Sequence, residues 1–360
     1  MRLLVLKLAN FRNFKQAEFG FEKQKTILWG ENGRGKSNLL EAIFFLAIGK
    51  SGRGARDREV LRWGAGHFSI EGVVEAEGGT FPIRLAYDPE VGKKARLRER
   101  PIPRFSSLVG AFNAVLFSPE DVDLVLRDPP QRRRILDILV SQSSASYLSD
   151  LERYRRVLSQ RNRLLKESRG RLLSNPDEML PWNQQLADLG GRIIRSRIDA
   201  LKVLNPWISE YYSAISTGSE DLKTEYKSLV NPNESESAQG VLETALSGRL
   251  KDEVDQGFTL SGPHRDNLVF LLDGRPVHRF GSMGQLKSVL LAWKLAEARF
   301  LESKTGQHPV LLMDDVFSEL DRGRATSLMA LLSSFGQVLL TTARDPDLDF
   351  EAEGYKVVAL

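Results

Sequence analysis

Residues 26–48 are predicted to form a strand, a tight loop and a helix, because the loop has the spacing G-x-x-x-x-G-K-[ST] of a phosphate-binding segment. An apolar run at 26–29 precedes the loop and a helical pattern at 36–48 follows it. Glycines let successive backbone N–H groups turn toward phosphate oxygens, and the helix amino terminus adds the positive end of its dipole. The chain is therefore expected to bind a nucleotide through the run Gly30-Glu31-Asn32-Gly33-Arg34-Gly35-Lys36-Ser37-Asn38.

Four side chains are the catalytic and metal-binding candidates. Lys36 is expected to reach the β- and γ-phosphates of ATP, and the Ser37 hydroxyl to ligate Mg²⁺. A second strand must bring a carboxylate to complete the metal site, and the apolar run 310–313 ends in Asp314 and Asp315. Asp314 would hold Mg²⁺ through its water shell, and Asp315 would orient or deprotonate the attacking water. Without the phosphate loop, the acidic pair would indicate only a strand that ends in a turn.

The two halves of this site lie far apart in the sequence. From Ser37 to Val310 there are 310 − 37 = 273 residues, yet the two strands must be neighbours in space. The nucleotide domain is therefore predicted to be discontinuous, with a helical segment inserted into it. We divide the chain into an amino-terminal nucleotide part at 1–143, a helical lobe at 144–255 and a carboxyl-terminal nucleotide part at 256–360.

The pattern of apolar residues changes along the chain. Apolar and polar residues alternate at 68–75 and 80–87, on either side of Gly78, which predicts a β-hairpin. From about Ser144 the apolar residues recur with the period of a helix, and this pattern continues beyond a break near 175–181. Two long amphipathic helices are therefore expected, joined by a proline-containing loop and antiparallel. Leucines recur every seven residues in the first of them, at Leu151, Leu158, Leu165 and Leu172.

Composition excludes several classes of site. The 360 residues contain no cysteine and four scattered histidines, which excludes disulfides, thiolate zinc sites, iron–sulfur clusters and a cysteine nucleophile. No apolar run approaches the roughly 18–20 residues that a membrane helix needs, so a cytoplasmic protein without a membrane partner is expected.

Basic residues cluster although the net charge is small, with 51 basic and 47 acidic side chains. The two clusters lie at 93–104 and 153–171. Segregated positive charge favours a polyanionic partner such as DNA, because neutralised phosphates release counterions. The alternative is a set of solvated helix faces. Candidate DNA contacts are Arg96, Arg98, Arg153 and Arg156.

A second phosphate-binding helix terminus is predicted by the run Ser282-Met283-Gly284-Gln285, which precedes a helical pattern. Alone, this run would indicate a helix cap. One nucleotide cannot easily use both sites of a single chain, whereas two chains arranged head to tail can. The run resembles the signature of the ATP-binding-cassette ATPases, and the residues after the acidic pair, among them Ser318, Glu319 and Asp321, resemble the loop that crosses their dimer interface.

Further motifs narrow the resemblance to the RecF family of bacterial SMC-like ATPases. Similarity runs from residue 2 to about 345 and is carried by the segments 8–14, 117–121, 128–137, 262–266 and 314–321. It implies an α/β fold, namely an ABC-type phosphate-loop ATPase head of mixed sheets and helices with an inserted, mainly helical second lobe. It also implies that Arg12 and Asn13 approach the nucleotide.

The resemblance implies a biological role as well. Members of this family bind duplex and gapped or junction DNA as ATP-dependent homodimers, and they hydrolyse ATP slowly with stimulation by DNA. With RecR and RecO they help to load RecA at gaps, which serves repair, replication restart and the SOS response.

Two departures from the ATP-binding-cassette pattern lead us to expect weak hydrolysis. The strand pattern at 338–340 leads into Thr341 and Thr342 where a switch histidine is usual, and no histidine follows His308. No metal-contacting glutamine is identified, and the stretch 117–121 is its expected location. Two other functions remain open: a cassette subunit that drives a non-DNA protein partner, and a monomeric phosphoryl-transfer enzyme.

Overall fold

A parallel five-stranded sheet forms the centre of the molecule. The computed structural model describes residues 1–119, 121, 128–168, 176–216, 220–229, 237–318, 320–343 and 354–360. In this sheet the strands lie in the order β14-β3-β13-β12-β8. Their bounds are Lys25–Trp29 (β3), Ala114–Phe117 (β8), Val310–Met313 (β12), Val338–Thr342 (β13) and Lys356–Ala359 (β14).

Apart from the half-buried edge strand β14, this sheet is buried on both faces, which is why its strands are mainly apolar. Successive residues alternate between two separate hydrophobic clusters: Leu311 packs into one and Leu312 into the other. Strands from both ends of the chain enter the sheet, because β3 and β8 pair with β13 and β12. The strands predicted from the apolar runs at 26–29, 310–313 and 338–340 are confirmed. The division into parts at 143 and 255 stays a prediction.

An antiparallel sheet of six strands covers one face. Its order is β2-β1-β4-β5-β6-β7, and β4 pairs with β5 in the hairpin predicted from the alternation. The strands are Arg2–Phe11 (β1), Phe14–Gly20 (β2), Phe68–Ala76 (β4), Gly79–Asp88 (β5), Gly92–Leu97 (β6) and Arg100–Pro101 (β7). Helix α1, Lys36–Ile48, has the predicted bounds and packs with both sheets. From Leu39 onward it is apolar apart from the buried Glu41, as expected of a helix without a solvent face. A short helix, Asp57–Val60 (α2), follows it.

Helices cover the other face of the central sheet. Two of them, Ala145–Glu167 (α4) and Leu180–Ile215 (α5), are the predicted long pair. They are antiparallel, because Arg161 contacts Asn183 near one end and Asp150 contacts Arg192 near the other. The remaining helices are Pro129–Ser143 (α3), Ala238–Gly248 (α6), Leu250–Gln256 (α7), Val277–Phe280 (α8), Met283–Thr305 (α9) and Arg322–Leu332 (α10).

A small three-stranded antiparallel sheet completes the fold, in the order β11-β10-β9. Its strands are Leu222–Lys227 (β9), Asn267–Leu272 (β10) and Arg275–Pro276 (β11). Helix α9 links this region to the central sheet, since its buried Trp293 stacks edge-on against Phe270 of β10. Short 3₁₀ turns lie at Phe105–Ser107 and Pro176–Met179. In the described part of the chain, no helix is long and apolar enough to span a bilayer.

Candidate nucleotide-binding site

The predicted phosphate loop connects β3 to α1. Gly33 and Gly35 have φ angles of 84° and 105°, in the left-handed region that side chains disfavour. Space also demands a glycine at 35, because a Cβ there would lie 2.5 Å from Nδ2 of Asn13. Residues 31–34 are exposed, so the loop is open to a ligand.

The Lys36 side chain folds over this loop. Its Nζ donates to the carbonyl oxygens of Gly30, at 2.6 Å, and Glu31, at 2.9 Å. The side chain is buried, and it therefore stands where phosphate oxygens could replace the two carbonyls as acceptors. Arg34 pairs with Glu31 across the loop at 3.0 Å.

Asp314 lies at the end of β12 and joins the two halves of the site. One of its oxygens, Oδ1, accepts hydrogen bonds from Ser37 Oγ, at 2.8 Å, and Thr341 Oγ1, at 2.7 Å. The other, Oδ2, pairs with Arg53 at 2.8 Å. Because only 5% of this side chain is exposed, its carboxylate is held in one orientation.

The hydroxyl of Ser37 and the carboxylate of Asp314 suit Mg²⁺, which prefers oxygen ligands from one or two side chains together with substrate phosphates. Among the described residues, no group of three acidic or histidine side chains could hold a metal alone. Mg²⁺ at Ser37 and Asp314 would therefore need phosphate oxygens to complete its coordination.

Asp315 adopts an unusual backbone conformation, with φ at 43°. Non-glycine residues in this region carry strain that is often found at functional sites. Its N–H donates to Thr341 Oγ1 at 2.8 Å. Thr341 thus bridges the two acidic residues through one hydroxyl, whereas Thr342 follows it in β13 opposite Trp29.

The structure places Arg12 and Asn13 against α1 and the loop. The Arg12 guanidinium donates two bonds of 2.9 Å to the buried carboxylate of Glu41. Asn13 accepts from Asn38 Nδ2, at 2.9 Å, and donates to the Arg34 carbonyl, at 3.1 Å. These contacts brace the helix and the loop on the side that faces β1.

The signature run lies at the amino terminus of α9. Ser282 and Gln285 form a reciprocal cap, in which Gln285 N donates to Ser282 Oγ at 3.2 Å and Ser282 N donates to Gln285 Oε1 at 2.7 Å. Gln285 also donates to Glu220 at 2.5 Å. Ser282 and Met283 are exposed, and within the described ranges no hydrogen bond joins Ser282–Gln285 to the phosphate loop.

The predicted interface loop is anchored to the acidic pair. Ser318 Oγ donates to the Asp315 carbonyl at 3.0 Å, and Asp321 caps α10 by accepting from Arg324 N at 2.9 Å. Glu319, the third residue predicted here, lies outside the described residues.

The stretch 117–121 follows β8, next to the acidic strand. The Phe117 carbonyl accepts from Asp314 N at 3.0 Å. Asp121 is an acid rather than the glutamine sought there; burial raises its pKa, and the charges of Lys294, Arg53 and Arg134 oppose that rise. Glu120 lies outside the described residues.

The four arginines proposed to contact DNA occupy two exposed surfaces. Arg96 faces Arg84 across β5 and β6, and Arg98 stacks over Phe81 at 4.4 Å. Arg153 and Arg156 are exposed on α4.

Sequence reasoning did not identify Arg53 and Glu41. Arg53 follows a helix end in a glycine-rich run, where nothing indicates that it reaches Asp314. Glu41 is the only charged residue between Leu39 and Ile48 of α1, and that isolated charge in an apolar run was the available sequence signal.

The family model for the RecF/RecN/SMC N-terminal domain matches residues 2–359. The DNA replication and repair protein RecF of Bacillus subtilis (strain 168) is 35% identical over 349 residues, which are 96% of this chain and 94% of that protein.

Solved structures also show similarity to RecF. A structure described as the recombination mediator protein RecF-ATP in the RecFOR pathway superposes with a TM-score of 0.90 at 32% identity, covering 96% of this chain and 93% of that one. An Smc head domain with a coiled coil and joint from Pyrococcus yayanosii shares the fold at 14% identity, with a TM-score of 0.58 over 99% of this chain and 94% of that one. The fold class and the family expected from the sequence are confirmed: the chain belongs to the RecF family.

Proposed function

We propose that this protein is an ATP-dependent DNA-binding protein of recombinational repair and replication restart, whose two copies close head to tail around ATP. The observation that carries the proposal is that a phosphate loop and an acidic strand are joined through Ser37 and Asp314, while the exposed capped terminus at Ser282 makes no hydrogen bond to that loop within the described residues. A second chain would bring its Ser282 to the γ-phosphate. Similarity to RecF-ATP supports ATP as the ligand.

In this proposal each residue of the site has one task. Lys36 exchanges its carbonyl partners for the β- and γ-phosphates, and Ser37 and Asp314 hold Mg²⁺. The metal neutralises phosphate charge. Asp315 orients the attacking water or accepts its proton. Hydrolysis is slow, because Thr341 is bound to both acidic residues and supplies no imidazole. Its stimulation by DNA is proposed from the resemblance to the family alone.

The proposed partners follow from the family. A similar protein is described as a recombination mediator of the RecFOR pathway, which supports RecR and RecO as partners. The proposed role is to help load RecA at gaps in DNA and so to support the SOS response. A chromosomal DNA partner implies a cytoplasmic location.

The test is fluorescence anisotropy of labelled duplex DNA at fixed salt, without nucleotide and with ATP and Mg²⁺. We expect ATP to tighten binding at least tenfold and Lys36→Ala to abolish the gain. Lys15→Ala, which changes an exposed lysine of β2, is the matched control and should behave as the wild type. Weak binding that is indifferent to ATP would contradict the proposal and favour a cassette with a protein partner.

The dimer is tested separately by the ATPase rate per molecule of protein. A composite site requires this rate to rise with protein concentration. A constant rate would instead indicate a monomeric phosphoryl-transfer enzyme.

A further inference from the structure

A positively charged cleft lies where the end of α1 meets β6 and the helices α3 and α4. Its volume is about 280 Å³, and four basic side chains line it: Lys50, Lys93, Arg134 and Arg155. A second cavity of about 150 Å³ continues from it and shares Arg134 and Arg155. No residue of the phosphate loop lines either cavity, so this cleft is distinct from the nucleotide site.

The four cations are unequally neutralised. Lys93 pairs with Asp57 at 2.9 Å. Arg134 bonds the neutral carbonyls of Ser51, at 3.0 Å, and Gly52, at 3.2 Å. The exposed Lys50 has no hydrogen bond and no ion pair within the described part of the chain.

The carboxylates that line the cleft leave this charge uncompensated. Asp137 receives two bonds from the buried Arg197, at 2.7 and 3.0 Å, and Arg155 reaches it only at 3.4 Å. Glu152 lines the cleft but makes no ion pair with a described residue. The pKa of Lys50 is lowered to about 8 by desolvation of its ammonium group in the cleft and by the charges of Arg134, Arg155 and Lys93, which Asp137 only partly opposes. An anion bound here would remove that repulsion.

We propose that this cleft binds a phosphate group through Lys50, Arg134 and Arg155. Guanidinium groups bind phosphate oxygens in pairs, and a lysine adds a point charge. The phosphate belongs either to a DNA backbone or to a free phosphorylated compound. The inference requires neither ATP nor the proposed dimer.

The first measurement uses the full chain with Lys36→Ala, so that the phosphate loop contributes little. Lysines are ¹³C-methylated, which keeps their charge, and the resonance lost in Lys50→Gln identifies Lys50. Inorganic phosphate is then titrated in. We expect it to raise the pKa of Lys50 by at least one unit, and Arg155→Gln to weaken phosphate binding at least tenfold. Arg195→Gln, an exposed and comparable charge change on α5, should leave phosphate affinity within twofold.

An unchanged Lys50 resonance at millimolar phosphate, or equal weakening by Arg155→Gln and Arg195→Gln, would overturn the proposal. The source of the phosphate is decided by duplex DNA binding in the presence of ATP. A fivefold or greater loss of DNA affinity in Lys50→Gln, with the DNA affinity of Arg195→Gln unchanged, identifies a DNA backbone as the source of the phosphate. Intact DNA binding in Lys50→Gln, together with phosphate binding at Lys50 in the first measurement, identifies a free phosphorylated compound. If DNA binding proves independent of ATP, the proposed clamp fails while the phosphate result stands.

Discussion

The hydroxyl of Ser37 donates a 2.8 Å hydrogen bond to the carboxylate of Asp314, 277 residues further along the chain. This contact joins the start of α1 to the end of β12. It exists because β13 lies between β3 and β12 and holds the ends of those strands at the same edge of the sheet. The two residues proposed to hold Mg²⁺ are thus positioned before any ligand arrives.

Asp315→Asn is expected to bind ATP but to hydrolyse it at least a hundredfold more slowly, because the amide cannot accept a proton from water. The ATP-bound dimer should therefore persist. Light scattering after size-exclusion chromatography in ATP measures this, with Lys36→Ala expected to stay monomeric. A monomeric Asp315→Asn in saturating ATP would show that the head-to-tail arrangement is wrong.

Thr341→Val is expected to lower the ATPase rate at least tenfold with little change in ATP affinity. The methyl group preserves shape but removes the bond to Asp314 and leaves the Asp315 N–H without its acceptor. An unsatisfied buried donor costs about 1–3 kcal/mol, so chemical unfolding should show that the free energy of unfolding falls by that amount. Thr341→Ser restores the hydroxyl and should recover most of the rate. Equal defects in both variants would refute a role for the hydroxyl.

His264 should make the protein less stable in acid. Burial lowers its pKa to about 4, and its ring is held by Tyr154 Oη, at 2.7 Å, and the Thr259 carbonyl, at 3.2 Å. The unfolded histidine has a pKa of about 6.5, so the unfolded chain binds more protons between those values. Stability is therefore complete above about pH 6.5 and falls as the pH drops toward 4.

The size of this effect follows from the same two values. At pH 5 His264 should cost about 2 kcal/mol of unfolding free energy relative to pH 7.5. Urea unfolding at both pH values measures it, and His264→Gln should reduce the difference by that amount. His67→Gln, at an exposed histidine, is the control. The same pH dependence in all three proteins would exclude His264 as its source.

Arg161→Met should destabilise the helical region by about 3–5 kcal/mol, because it leaves the Glu253 carboxylate buried without its partner. Both side chains are fully buried and 2.6 Å apart, and Arg161 also bonds Asn183 of α5 and Thr259. The exposed Arg163, two residues away, pairs with Glu167, and Arg163→Met should cost less than about 1 kcal/mol. Similar costs for the two variants, compared by urea unfolding, would contradict this account.

Local elements were predictable because their signals are local. The bounds of α1 and the hairpin of β4 and β5 follow from spacing and alternation over fewer than twenty residues. The heptad leucines predicted the long helix pair, yet not that Arg161, on the same stripe, would be completely buried. Its burial depends on partners as distant as Glu253, which no periodicity reveals.

The sequence alone therefore determined the phosphate loop, the acidic strand and the need for them to meet, because their chemistry requires fixed residue types at fixed spacing. Tertiary structure decided which other side chains meet there. Arg53 reaches Asp314, Thr341 bridges Asp314 and Asp315, and Lys50 lies in a cleft among other cations. These contacts form between residues far apart in the chain, so they depend on how sheets and helices pack rather than on any local pattern.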